Sequence, residues 1–144
     1  MKRPVHLAGW LLIAALSLGV CAYAADASAL ERQKIDYLIG SVEGLQGAEF
    51  FRNGKSYDAQ EAGKHLRLKL RLAGSRIATA DDFIRLCGSV SSMSGLPYQI
   101  RFSDGHTVSS EAYLRQKLAE FDRVGSGASN SRPRLATSTR AQGG

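Results

Sequence analysis

The chain has 144 residues, with 19 Lys/Arg against 13 Asp/Glu and a formal charge of +6. The surplus is not spread evenly: Ala25–Arg123 holds 14 basic and 13 acidic residues, so the excess sits in the first residues and in the tail. A near-neutral span of about a hundred residues supports one modest core, and a nucleic-acid partner is not expected of it.

Lys2 and Arg3 precede the apolar run Trp10–Val20, WLLIAALSLGV, and small residues follow to Ala24. A charged start, an apolar middle and an A-x-A ending form the pattern of a secretory signal peptide, residues 1–24, cleaved after Ala24. The apolar run is too short to cross a bilayer comfortably, so the processed chain is not expected to be an integral membrane protein. The expected location is periplasmic or secreted. Lipidation of Cys21 is the alternative, weakened because Val20 stands where a small residue belongs. After cleavage only Cys87 remains, so no internal disulfide can form. Its spacing with Phe83 and Ile84 predicts a buried small apolar residue.

The first helix is predicted from Ser28, where Ser28-Ala29-Leu30-Glu31 fits a capping box. Ile35, Leu38, Ile39, Val42 and Leu45 form its apolar face, and Gly44 and Gly47 end it. Phe50-Phe51 then starts a strand that reverses at Asn53-Gly54, a dipeptide suited to a tight hairpin. Asp58 and Glu61 make a second capping box for a helix to about Ala73. Leu66, Leu68, Leu70 and Leu72 alternate with basic residues at the strand period. The cap, the helix formers and the stop at Gly74 nevertheless favour helix. Thr79-Ala80-Asp81-Asp82 opens a third helix carrying Phe83, Ile84, Cys87 and Val90 inward. A polar loop, Ser91–Pro97, leads to the alternating strand Tyr98, Ile100, Phe102. Asp104-Gly105 turns it back, and Ser109 or Ser110 caps a last helix with Leu114, Leu118 and Phe121 on one face. Residues 124–144 hold Gly, Ser, Thr and Arg with little to bury and are expected to be a disordered tail.

The expected fold is therefore α+β: one domain, residues 25–123, in the order α-β-β-α-α-β-β-α, with helices over one face of antiparallel hairpins. Asn53-Gly54 and Asp104-Gly105 each introduce a hairpin–helix unit, about fifty residues apart, which raises the question of a duplication.

The stretches FFRNGKSYDAQEAGKHLRLKL, RIATADDFIRLCGSVSSMSGLPYQIRFSDG and SEAYLRQKL resemble the YfeK-like family of small exported bacterial proteins, whose domain has no assigned function. The resemblance covers about Leu30 to Phe121. It implies export and a single compact domain, and brings no activity or site residue with it. The Gly/Ser/Arg tail is not part of the shared pattern.

The chemistry is read by elimination. His65, His106 and Cys87 have no ligand-spaced partners, so no metal site is expected. The chain contains neither G-x-S-x-G nor a Gly-rich phosphate loop, and no cofactor is expected. Two weak candidate features remain. One is a ligand site built from Arg52, His65 and Lys69 with the loop residues Ser91, Ser92, Ser94 and Tyr98. The other is a basic helix face, Lys64, Arg67 and Arg71, able to receive an anionic component of the cell envelope. Partners are otherwise open, another envelope protein among them. The expected function is a small exported, non-enzymatic binding or accessory protein of the bacterial envelope. The alternatives are a small hydrolase using Ser91–Ser94 with His65, and a structural or oligomeric envelope subunit joined through Cys87 or sheet edges.

Overall fold

A computed structural model describes residues 10–130 of the chain, with side chains from Asp26 to Ser126. The order is α1 (Trp10–Glu43), β1 (Glu49–Arg52), β2 (Lys55–Tyr57), α2 (Ala59–Ala73) and α3 (Ala80–Phe83), followed by β3 (Gln99–Arg101), β4 (Thr107–Ser109) and α4 (Ser110–Asn130). A 3₁₀ turn, Gly74–Arg76, follows α2, and α3 widens into a π turn over Ile84–Gly88. The expected α+β order is present, with all four strands in one antiparallel sheet ordered β2-β1-β3-β4.

Two boundaries differ from expectation. The first helix does not begin at Ser28 but runs unbroken from Trp10. Its supposed capping glutamate works elsewhere: Glu31 Oε2 accepts the Ala80 N–H at 2.7 Å and caps α3. A carboxylate near a helix start is stabilising wherever it comes from. The last helix passes Arg123 and continues to Asn130. Residues 124–130, expected in the tail, continue its turns, and Ser126 Oγ donates to the Asp122 carbonyl at 2.8 Å. The expected first nine residues of the signal peptide and the tail beyond Asn130 lie outside the described residues. Among the described residues no helix is long and apolar enough to cross a membrane.

The other caps form as their sequences dictate. Asp58 Oδ1 accepts the Glu61 N–H at 2.8 Å while Glu61 Oε2 accepts the Asp58 N–H at 3.3 Å. Thr79 and Asp82 repeat the same exchange. Ser109 Oγ accepts the Ala112 N–H at 3.1 Å and starts α4. The hairpin β1–β2 turns on Asn53 and Gly54, at φ 52° and 76°, the left-handed conformation that a tight turn between twisted strands needs.

Phe50 lies opposite Ile100 at the centre of the sheet, with Tyr57 beyond one and Val108 beyond the other. The two hairpins are thus arranged symmetrically about this pair, each followed by a helix. That arrangement is what a duplicated hairpin–helix unit would give. Phe50 and Ile100 face the helices, and Leu38, Ile39, Val42, Phe83, Ile84 and Leu114 close over them. Leu38, Ile39, Phe83, Ile84, Ile100 and Leu114 are completely shielded from water. Each contributes about 1.5–3 kcal/mol of burial free energy before conformational entropy is charged. Gly88 lets Leu114 approach so closely that any Cβ there would collide with its side chain. Val90, expected inside, is exposed, because the π turn ends the helix at Gly88 and the chain leaves the core one residue later.

Candidate functional site

The alternating leucines of α2 become legible once the chain is a helix. Leu66 and Leu70 turn to the core, and the next stripe round the helix carries His65 and Lys69 to its border. Arg52 leaves β1 on the same, helix-facing side of the sheet as Phe50, two residues before it. The strand thus delivers a guanidinium beneath α2. Its Nη1 lies 2.8 Å from Nδ1 and 2.7 Å from Nε2 of His65. A neutral imidazole has a single acceptor nitrogen, so one of these contacts is the hydrogen bond and the other is close packing.

Tyr98, just before β3, completes the group. Its hydroxyl is 3.4 Å from His65 Nε2 and accepts from Lys69 Nζ at 3.4 Å. Lys69 Nζ also donates to the Val90 carbonyl at 3.0 Å and lies over the Tyr98 ring. The Arg52 guanidinium in turn lies 5.3 Å above the Tyr57 ring. Aromatic faces hold cations where water is partly excluded.

Arg52, Tyr57, His65 and Tyr98 border a cleft of about 340 Å³ between α2 and the β1–β2 hairpin. Val42, Phe50, Tyr57, Ala62, Leu66 and Tyr98 give it apolar walls, and Arg52, His65 and Lys64 give it basic ones. Its size falls at the small end of ligand sites. Glu61 is the sole acid on the wall, and its carboxylate is engaged at the start of α2. Arg52 and Lys69 have no carboxylate within ion-pair distance among the described residues, whereas Arg67, two residues from both His65 and Lys69 and so on the far side of α2, has two. Arg52 Nε is buried with no hydrogen-bond partner at all. A buried donor left unpaired costs about 1–3 kcal/mol.

The electrostatics follow from this crowding. Burial first, then Arg52 and Lys69, lowers the His65 pKa below its ordinary 6.5. Burial likewise lowers Lys69, with Arg52 adding to the effect and Cys87 opposing it. Burial raises the Tyr98 hydroxyl above its ordinary value of 10. The cluster is cationic and lacks the negative group that would relieve it.

The structure gathers Arg52, His65, Lys69 and Tyr98 into one group, with Ser91 and Ser94 beside it. Asn53 supplies the link: its Nδ2 donates to Ser91 Oγ at 3.2 Å, and its Oδ1 accepts from Ser94 Oγ at 2.6 Å. The serine loop is thereby clamped to the hairpin turn. None of the hydrogen bonds of His65 goes to a serine, and Ser92 is exposed and lines no part of the cleft. Cys87 is buried and its thiol is pushed up by that burial, so in the folded chain it is closed to a partner's cysteine. The basic face is divided. Lys64 borders the cleft, Arg71 is exposed, and Arg67 makes a two-pronged 3.0 Å bridge to Glu43 of α1. Among the described residues no group of three or more His, Cys, Asp or Glu could hold a metal.

Sequence reasoning did not find Tyr57 or Asn53. Tyr57 had a signal, since it stands opposite Phe50 in any two-residue hairpin through Asn53-Gly54 and must share its face. Asn53 had none, because its partners lie 38 and 41 residues away.

A model of a family of unknown function, DUF5329, matches residues 29–122, the span that carries all of these side chains. The uncharacterized protein YfeK of Salmonella typhimurium is 37% identical over 86 residues, which is 60% of this chain and 71% of the relative. No solved structure matches.

Proposed function

This chain belongs to the DUF5329 family of unknown function, and we propose that it is a small exported binding protein whose cleft holds an amphipathic anion. A carboxylate or phosphate head sits against Arg52 and His65, and an apolar body lies along Phe50, Tyr57 and Leu66. The observation that carries this reading is Arg52: a guanidinium beneath a cleft, without a carboxylate partner, its Nε buried and unbonded. An anionic head supplies both the missing acceptor and the missing charge. Bidentate geometry favours a planar or tetrahedral oxyanion over a halide. The Tyr98 hydroxyl, 3.4 Å from His65 Nε2, offers a further donor.

The reading is of binding: Arg52 and the donors beside it recognise an anion. The charged start and apolar run before Ala24 support export, and with it a role in the bacterial envelope.

The test is calorimetric binding of three probes with the same eight-carbon body: octanoate, octyl phosphate and octanol. A hydrogen bond to a charged group contributes about 1.5–3 kcal/mol net, so octanoate or octyl phosphate should bind about 10- to 150-fold more tightly than octanol. Arg52→Met should remove that preference and leave octanol binding unchanged. Equal affinity for all three probes would refute the anion site, and a preference that survives Arg52→Met would move it elsewhere.

A further inference from the structure

Beside the stripe that α2 buries runs a second, made of His65, Leu68, Lys69 and Leu72 at the spacing i, i+3, i+4, i+7. His65 and Lys69 serve the cleft group, but Leu68 and Leu72 are 42% and 73% exposed. The Lys69–Val90 bond brings the loop after the π turn against this stripe. That loop is closed on itself: Val90 bridges Pro97, Ser91 N–H donates to the Leu96 carbonyl at 2.9 Å, and Gly95 N–H donates to the Ser91 carbonyl at 2.8 Å. It is a fixed knob, and it presents Val90, Met93 and Leu96 to solvent at 39%, 92% and 55%. Five of the eight large exposed apolar side chains among the described residues belong to this stripe and knob, so they form a patch and not a scatter.

The charge of the same face has one sign. Neither Ala62–Ala80 nor Phe83–Ser103 contains an Asp or Glu. Arg71 and Arg76 are exposed there, and neither has a carboxylate within ion-pair distance among the described residues. Arg67, which lies towards α1, is taken up by Glu43 and is not part of this face.

We propose that this face docks on the surface of an anionic phospholipid bilayer. Leu72, Met93 and Leu96 enter the headgroup boundary while Arg71 and Arg76 meet the lipid phosphates. Exposed apolar tips on a protruding knob, Met93 foremost, with cations on the same face, suit a soft anionic surface. A protein partner is served instead by a concave patch with aromatic anchors, which this face lacks. The inference does not rest on the cleft, since none of Arg71, Leu72, Arg76, Met93 and Leu96 lines it.

The experiment is amide hydrogen exchange of the full chain with vesicles of phosphatidylcholine alone, vesicles containing phosphatidylglycerol, and poly-glutamate in place of vesicles. Local readout separates this face from any binding through the apolar run before Ala24. The expected result is protection of residues 68–76 and 89–97 with phosphatidylglycerol only. A Leu72→Ser/Met93→Ser variant should lose that protection. Arg71→Gln/Arg76→Gln should lower the partition coefficient about 30-fold, from about 1 kcal/mol per basic residue at an anionic surface. Protection that is absent, that is equal with phosphatidylcholine alone, or that is confined to the N-terminal run would overturn the proposal. So would protection produced by poly-glutamate without vesicles, which would assign the face to an acidic polypeptide.

Discussion

Replacing Arg52 by Met should leave the stability of the fold close to its present value. The expectation comes from what the side chain does in place. Its Nε is buried and unpaired, a penalty of about 1–3 kcal/mol that Met does not carry. The substitution forfeits the hydrogen bond to His65, about 0.5–1.5 kcal/mol, and the stacking over Tyr57, about 0.5–1 kcal/mol. It also relieves the repulsion that lowers the pKa values of His65 and Lys69. Set against one another, these leave a balance near zero, from about 1.5 kcal/mol against Met to about 2 kcal/mol in its favour. For a domain near a hundred residues, 1 kcal/mol moves the melting temperature by about 4–8 °C. Urea denaturation followed by circular dichroism, with Tm as the second measure, decides it. An average substitution costs about 1 kcal/mol. A loss clearly beyond that, more than about 2 kcal/mol, would show that Arg52 holds the fold together, and a purely structural Arg52 would remove the reason to place a ligand there.

Further predictions concern packing, the loop and pH. Gly88→Ala should cost about 1–3 kcal/mol, because the new methyl collides with Leu114 in a core that has no slack; chemical denaturation measures it. Arg67→Glu should destabilise by roughly 1 kcal/mol by facing Glu43 and Asp36, and the additional change Glu43→Lys should recover most of that loss in a double-mutant cycle. Asn53→Ala should cost about 1–2 kcal/mol through the left-handed turn and should also accelerate amide exchange in Ser91–Leu96, whose hydroxyls lose their clamp. The His65 pKa is depressed in the folded chain, so its contribution to stability is complete above pH 6.5 and declines as pH falls below that value through the folded pKa. Denaturation at pH 7 and pH 5 should therefore show a smaller difference for His65→Gln than for the natural chain.

Local signals carried most of the fold. The Asp58/Glu61 and Thr79/Asp82 boxes, the Asn53-Gly54 turn and the stop at Gly74 need only neighbours in the chain, and all formed as their spacing implied. The start at Ser28 failed because its pattern is also satisfied inside a longer helix, and Glu31 found a better donor 49 residues away. The leucine alternation in α2 suggested a strand period, and only packing shows that Leu66 is buried and Leu70 half-buried while Leu68 and Leu72 are exposed. Arg52, His65, Lys69 and Tyr98 could be singled out as polar or basic residues near apolar stretches. That Arg67 belongs to a bridge with Glu43, and Arg52 to none, depends on how α1 and β1 lie against α2, which no spacing in the sequence encodes.

The central claim is that Arg52 and His65 form a seat for an anionic head. Following the His65 ring by NMR across pH, with and without octanoate, tests it at the atom concerned. In the free chain the imidazole should titrate below 6.5, because burial and the neighbouring cations oppose its proton. Octanoate brings negative charge against the ring, so it should raise that pKa, and Arg52→Met should abolish the effect of octanoate. A free-chain value at or above 6.5, or one that octanoate leaves unmoved at saturating concentration, would contradict the claim.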